Sequence, residues 1–283
     1  MSPRAQRGDR NSFRLSAPSL ALLAQGDNPR PSSLVPRLSF LVSLALLTAC
    51  SLPPMRGKAE VGKDPYAVVA ADGNGGGDLY AVIGAGNEVV QLTWTPLREY
   101  APALSPDGGM LAFLRQPHSG NPTIWILNLL SSGERELPLP DSVSQTLTRV
   151  AWSPDSRTVY AESESSLWRW PAPPARPVAE LVPPAERAQA DSALGVQLGS
   201  PAFASIVSCD TAGSTYCVET PDGRRQPLGA GAAAPTAWGA DSVAWIRNSA
   251  IEIRPLKGGA ARLVKLEGMK GLSAVTYFEG NRE

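Results

Sequence analysis

Histidine is almost missing from this chain: His118 is the only one in 283 residues, beside three cysteines. A Ser-His-Asp relay would have to run through it, and no G-x-S-x-G nucleophile elbow stands anywhere. Charge is sparse, at 18%, and Lys plus Arg equals Asp plus Glu at 26 each. Six arginines and two aspartates fall in residues 1–49, which leaves 20 basic and 24 acidic side chains beyond. Such a balance lacks the basic surface that neutralises phosphates, so nucleic acid is not an expected partner. No apolar run reaches the roughly twenty residues of a membrane span. What is plentiful is glycine (26), proline (27), seven Trp and six Tyr, the composition of strands and tight turns.

The longest apolar run, LSFLVSLALL at 38–47, is about ten residues, with Arg37 before it and Thr48-Ala49-Cys50 after it. A basic flank, a short core and a small-residue exit describe a secretory leader. Leu47-Thr48-Ala49-Cys50 resembles the lipobox of bacterial lipoproteins. That resemblance implies a diacylglycerol on the Cys50 thiol, cleavage before Cys50 and acylation of the new amine. Val35, read as an alternative start, would give a leader of ordinary length, so 1–34 is taken as an over-annotated or disordered extension. Ser51 stands where an Asp would favour inner-membrane retention. The expected location is therefore the outer membrane, facing the periplasm. Residues 50–64 read as the lipidated N-terminus and a polar tether.

A repeat organises the rest. Leu104-Ser105-Pro106-Asp107-Gly108 returns as Trp152-Ser153-Pro154-Asp155-Ser156 and, in outline, as Trp238-Gly239-Ala240-Asp241-Ser242. The first step is 48 residues and the second 86, twice 43, with a degenerate copy expected near Pro201-Ala202-Phe203. A period in the forties belongs to four-stranded propeller blades. In the clearest copy the strands are Tyr100–Leu104, Met110–Arg115, Thr123–Leu129 and Arg135–Leu139. MLAFL and TIWIL are apolar throughout, as sheets covered on both faces require. Residues 65–283 number 219, which at about 43 per blade makes five, with six as the alternative. Tyr66–Ala70, Leu79–Ile83 and Val89–Thr93 supply three strands of a first blade, and LSAVTYFEG (272–280) supplies its fourth, closing the ring.

The repeat resembles the WD40-like blade of the TolB family of periplasmic propellers, almost element by element over 101–139, in its first half over 150–170, and in outline over 200–229 and 235–264. The resemblance implies an all-β propeller and an envelope protein, such as a peptidoglycan-associated lipoprotein, as partner. The family's N-terminal α/β domain has no room between Cys50 and the first strands.

Candidate sites are few. His118 reads as an exposed loop residue. Asp107, Asp155 and Asp241 read as turn formers, since Asp accepts bonds from nearby backbone N–H groups. Asp72-Gly-Asn-Gly-Gly-Gly-Asp78 has oxygen donors at calcium-loop positions, but Ile83 stands where an EF-hand needs its Glu; a plain connecting loop is expected. Cys209 and Cys217 flank a hairpin turn and are expected to form a disulfide, with two buried thiols as the competing reading. With Cys50 expected to carry a lipid, these two cysteines and the one histidine fall short of the four ligands of a structural zinc site. Trp125, Trp152, Trp238 and Trp245 fall at blade-core positions. Trp168 and Trp170 share a face around Arg169, which makes these three the best candidate for a sugar or peptide ligand contact. Together these features describe a lipid-anchored, non-enzymatic scaffold without cofactor or metal, binding an envelope protein or cell-wall component. The alternative is a hydrolase or lyase, or a glycan-binding propeller, using carboxylates of its channel.

Overall fold

The computed structural model describes residues 53–72, 76–84, 88–140, 146–163, 166–187, 206–209, 216–219, 223–228, 233–239 and 241–281. The leader and Cys50 lie outside them. The strands are β1 (Tyr66–Ala71), β2 (Asp78–Ile83), β3 (Glu88–Gln91), β4 (Arg98–Leu104), β5 (Met110–Gln116), β6 (Thr123–Asn128) and β7 (Glu134–Leu137). There follow β8 (Leu147–Trp152), β9 (Thr158–Ser163), β10 (Leu167–Pro171), β11 (Glu180–Leu181), β12 (Ile206–Ser208), β13 (Tyr216–Glu219) and β14 (Arg225–Pro227). The last five are β15 (Ala233–Trp238), β16 (Ser242–Arg247), β17 (Ala250–Pro255), β18 (Arg262–Lys265) and β19 (Ala274–Phe278). They form antiparallel sheets ordered β19-β1-β2-β3, β4 to β7, β8 to β11, β12 to β14, and β15 to β18.

Every sheet but one is thus a four-stranded blade, and the fold is an all-β propeller. The C-terminal strand closes it as expected: β19 pairs with β1, Tyr66 opposite Phe278 and Ala70 opposite Ala274, and becomes the innermost strand of the first blade. Among the described residues, the expected count of five four-stranded blades, or six, is corrected to four. The remaining sheet, β12 to β14, has three strands among the described residues. Its segment has lost the Ser-Pro-Asp turn, and the strand expected at Pro201-Ala202-Phe203 lies outside the described residues.

Both faces of the second blade are covered, which explains its continuous apolar strands. Leu111, Phe113 and Leu127 pack toward the first blade with Leu79, Ala81 and Phe278. Ala112, Leu114, Ile124 and Ile126 pack toward the third with Val150, Trp152 and Trp170. The first and last blades share a core of Val69, Val82, Ile251, Ile253 and Val275. Indole groups fasten the second and third blades: Trp152 Nε1 donates to the Ala103 carbonyl and Trp170 Nε1 to that of Pro138, each at 2.9 Å. β4 bulges between Tyr100 and Ala103, where its register against β5 shifts.

The expected tether is a second correction. From Pro53 the chain is folded onto the ring rather than loose. Met55 is 1% exposed within the core between the first two blades, with Ala59 and Val61 packed alongside. Its backbone turns are closed by Lys58 N to Met55 O and Asp64 N to Glu60 O, and Asn281 Nδ2 donates to the Gly62 carbonyl. Apolar residues spaced through a polar sequence, at Met55, Ala59 and Val61, made this docking.

Candidate functional site

The repeated turns repeat to the atom. Ser105 Oγ donates to Asp107 Oδ1 at 2.6 Å, which also accepts Gly109 N at 2.9 Å, while Met110 N donates to Ser105 Oγ. Ser153, Asp155, Arg157 and Thr158 reproduce all three bonds. The two turns touch through Asp107 N and Ser156 Oγ, 3.1 Å apart. The Ser153 and Arg157 bonds hold the Asp155 carboxyl below the ordinary carboxylate range. Gly108 sits at φ +68°, and a Cβ there would lie 2.7 Å from the Phe278 ring, so the turn needs glycine on both counts. Tyr66 donates its hydroxyl to the Gly108 carbonyl. In the third copy Asp241 instead accepts from Ser242 Oγ. Asp107 and Asp155 are therefore occupied by their own turns.

A buried charge cluster went unnoticed in the sequence. Glu99, at the start of β4, accepts Arg115 Nε at 2.8 Å, Thr93 Oγ1 at 2.9 Å and the Thr95 hydroxyl. Arg115 reaches on to Glu134 at 2.9 Å and lies 4.2 Å from the centre of the Trp125 ring. Burial pushes the Glu99 carboxyl up, opposed by Thr95, Thr93 and Arg115. The partners in this cluster lie on β5, β6 and β7 of the same blade and, through Thr93 and Thr95, on the connection from β3 to β4, so its geometry ties the second blade to the segment that enters it.

The expected ligand contact at Trp168, Arg169 and Trp170 is corrected. Trp170 is fully buried and bonded to Pro138, and Trp168 packs half-buried on the same cluster. Arg169 points the other way and is held by Glu180 and Glu186. The shared face of the two indoles was read correctly; that the next blade covers it was not. Asp72 and Asp78 serve separate contacts. Asp72 N bonds the Lys270 carbonyl, and buried Asp78 accepts from Gln91. Among the described residues no three His, Cys, Asp or Glu side chains are grouped to hold a metal. His118 is exposed between β5 and β6. Cys209 and Cys217 are disulfide-bonded, their Cα atoms 5.2 Å apart.

Antiparallel order sorts the loops onto two faces of the ring. The Ser-Pro-Asp turns and the docked segment 53–64 share one face, where a Cβ on Gly62 would lie 3.3 Å from the Asp107 carbonyl. The connection from β3 to β4 and the His118 loop share the other. On that second face Trp94 is 65% exposed, and near it the Arg98 guanidinium lies 5.2 Å from the centre of the Tyr100 ring.

Among the described residues, two clefts open on the turn face. One, of about 600 Å³, lies between segment 53–64 and Leu129-Leu130. The other, of about 490 Å³, lies at the closing seam. There Trp238 at the end of β15 and Tyr277 on β19 stack at 4.2 Å, 12° from parallel. Trp238 was expected in the core like Trp152, and it is only partly buried. Trp152 is pressed between two blades, whereas Trp238 meets the lone strand that closes the ring. Trp152 and Trp245 are buried as expected, and Trp125 lies under Arg115.

Four-stranded sheets and a terminal strand that closes the first of them define a β-propeller protein. No family model and no curated protein matches the chain. Among solved structures it is similar to a chain of a nidogen/laminin complex, at 12% identity over 77% of this chain and 100% of that one, with TM-score 0.47. TolB from Acinetobacter baumannii is similar at 14% identity, over 84% of this chain and 60% of that one, with TM-score 0.41. A putative TolB from Agrobacterium tumefaciens is similar at 15%, over 76% and 71%, with TM-score 0.36. The function has to come from this chain's own side chains.

Proposed function

We propose that the chain is a lipid-anchored, non-enzymatic propeller of the bacterial cell envelope that docks a partner protein on the face carrying Trp94. The observation that supports this most is Trp94 itself, at 65% the most exposed of the exposed large apolar side chains among the described residues, and the only aromatic one of them. Covering its free surface would contribute roughly 2–4 kcal/mol, enough to make it an anchor residue. The two faces divide the work. Cys50 is three residues before Pro53, whose segment docks on the turn face, so an acyl anchor at Cys50 holds that face to the membrane and turns Trp94 outward. The resemblance of the Ser-Pro-Asp repeats to TolB blades agrees with an envelope protein as the partner. The described aspartates of these turns are engaged in structural bonds, which favours a scaffold over a carboxylate-driven enzyme.

The test is recovery of crosslinked partners from membranes. Wild-type protein fractionates with membranes and captures a discrete partner. Trp94→Ala keeps the membrane association and loses the partner by tenfold or more. Cys50→Ser loses the membrane. Partner capture unaffected by Trp94→Ala refutes the docking face, and Cys50→Ser remaining in the membrane fraction refutes the anchor.

A further inference from the structure

The cleft at the closing seam has a polarity of its own. Its inner end is made by the Trp238–Tyr277 stack with Asp241 and Glu279, and its outer end by Arg262 on β18, the last strand of the blade. The floor is apolar, from Ile253 and Pro255. Gly239 holds the turn at φ +68°, and the Glu279 carboxylate lies 3.4 Å from the point where a Cβ would stand, so this acid is set against the turn beside the rings. Among the described residues neither Asp241 nor Glu279 forms an ion pair, and Arg262 forms none. Two carboxylates and an indole at one end suit an ammonium group, since a cation is drawn to both the charge and the ring face. A guanidinium at the other end suits an anion, above all a phosphate. At about 490 Å³ the cleft is in the size range of small-ligand sites.

We propose that this cleft binds an ammonium–phosphate zwitterion, the ammonium between Trp238, Asp241 and Glu279 and the phosphate at Arg262, and that its source is an ethanolamine-type lipid headgroup. The choice of source follows from placement: Trp238, Gly239, Asp241, Ser242, Glu279 and the start of β18 lie on the turn face, together with segment 53–64 that leads back to Cys50. It rests on the anchored reading for that orientation alone. Binding of a soluble headgroup needs no anchor, so the two readings fail separately.

The probe is glycerophosphoethanolamine, titrated into the full chain at low salt and followed by NMR at the Trp238 indole N–H, assigned by its loss in Trp238→Phe. Saturable shifts are expected. N-acetylation of the probe, which removes the cation, and glycerol phosphate, which lacks the amine, each weaken binding at least fivefold. Glu279→Gln, at an exposed position that leaves the fold intact, weakens it two- to fivefold, and Arg262→Gln does the same for the intact probe. Nα-acetyl-lysine, a zwitterion of peptide type, binds more weakly. Tighter binding of acetyl-lysine overturns the lipid source. Equal binding of the N-acetylated probe, no response to either charge variant, or no saturable shift at all overturns the site.

Discussion

The Glu99–Arg115 cluster makes a prediction that runs against the usual reading of a buried ion pair. Glu99 has no exposed side-chain surface and Arg115 has 6%. Desolvation is the largest influence on the Glu99 carboxyl and raises its pKa, although Thr95, Thr93 and Arg115 all pull it down. A pKa higher in the folded than in the unfolded chain means that the folded protein keeps a proton the unfolded one releases. Stability is then greatest below the unfolded value and falls as pH rises through the window up to the folded value. The charged carboxylate is therefore a net burden at neutral pH, and Glu99→Gln, the isostere of the protonated acid, should change stability by less than about 1 kcal/mol or raise it. Arg115→Met is the opposite case. It strands Glu99 with two hydroxyl donors and no cation, at a cost of about 3–5 kcal/mol at pH 7.5. For a domain of this size that is a fall in Tm of roughly 6–20 °C. The Arg115→Met deficit should shrink at pH 5, since protonation relieves the stranded charge. Thermal unfolding by circular dichroism, on the chain from Ser51, reads all four conditions. A Glu99→Gln loss as large as that of Arg115→Met, or an Arg115→Met deficit independent of pH, refutes the reasoning.

Two further outcomes follow from the ends of the ring. Removing residues 271–283 strips β1 of its partner and takes Phe278 from Tyr66 and Tyr277 from Trp238; size-exclusion chromatography should show aggregated protein without a cooperative melt, and an unchanged Tm would refute the closure as a stabilising element. Met55→Ala should cost about 2–5 kcal/mol, since it empties a fully buried site; a loose tether would give no change in the midpoint of urea unfolding.

Strand placement was legible wherever the turn chemistry was intact. Ser105-Pro106-Asp107 and Ser153-Pro154-Asp155 mark where β4 and β8 end, because each fixes its own hydrogen bonds locally. Closure by the C-terminal strand was legible because the first blade had only three strands nearby in sequence and LSAVTYFEG offered a fourth. What one strand cannot reveal is the company its face keeps. Trp168 and Trp170 share a side in any strand, but only the third blade's packing against the second decides that this side is covered. Trp238 occupies the same repeat position as Trp152 and differs in exposure because its neighbour is β19. Glu99 and Arg115 are sixteen positions apart, and only the pairing of β4 with β5 brings them together. Met55 gave little signal, since an isolated methionine in a polar stretch has no period.

The pairing of β1 with β19 also sets an order of events for making the protein. Tyr66 and Phe278 are 212 positions apart, yet they sit side by side in the first blade. At synthesis rates of roughly 5–20 residues per second, β1 exists for about 10–40 seconds before its innermost neighbour is made. Throughout that interval β1, whose six residues are all buried in the finished ring, presents an unpaired apolar edge. A nascent chain of this design keeps the inner edge of β1 open until β19 is made, so the blades between can form locally but the ring closes only after β19 is synthesised.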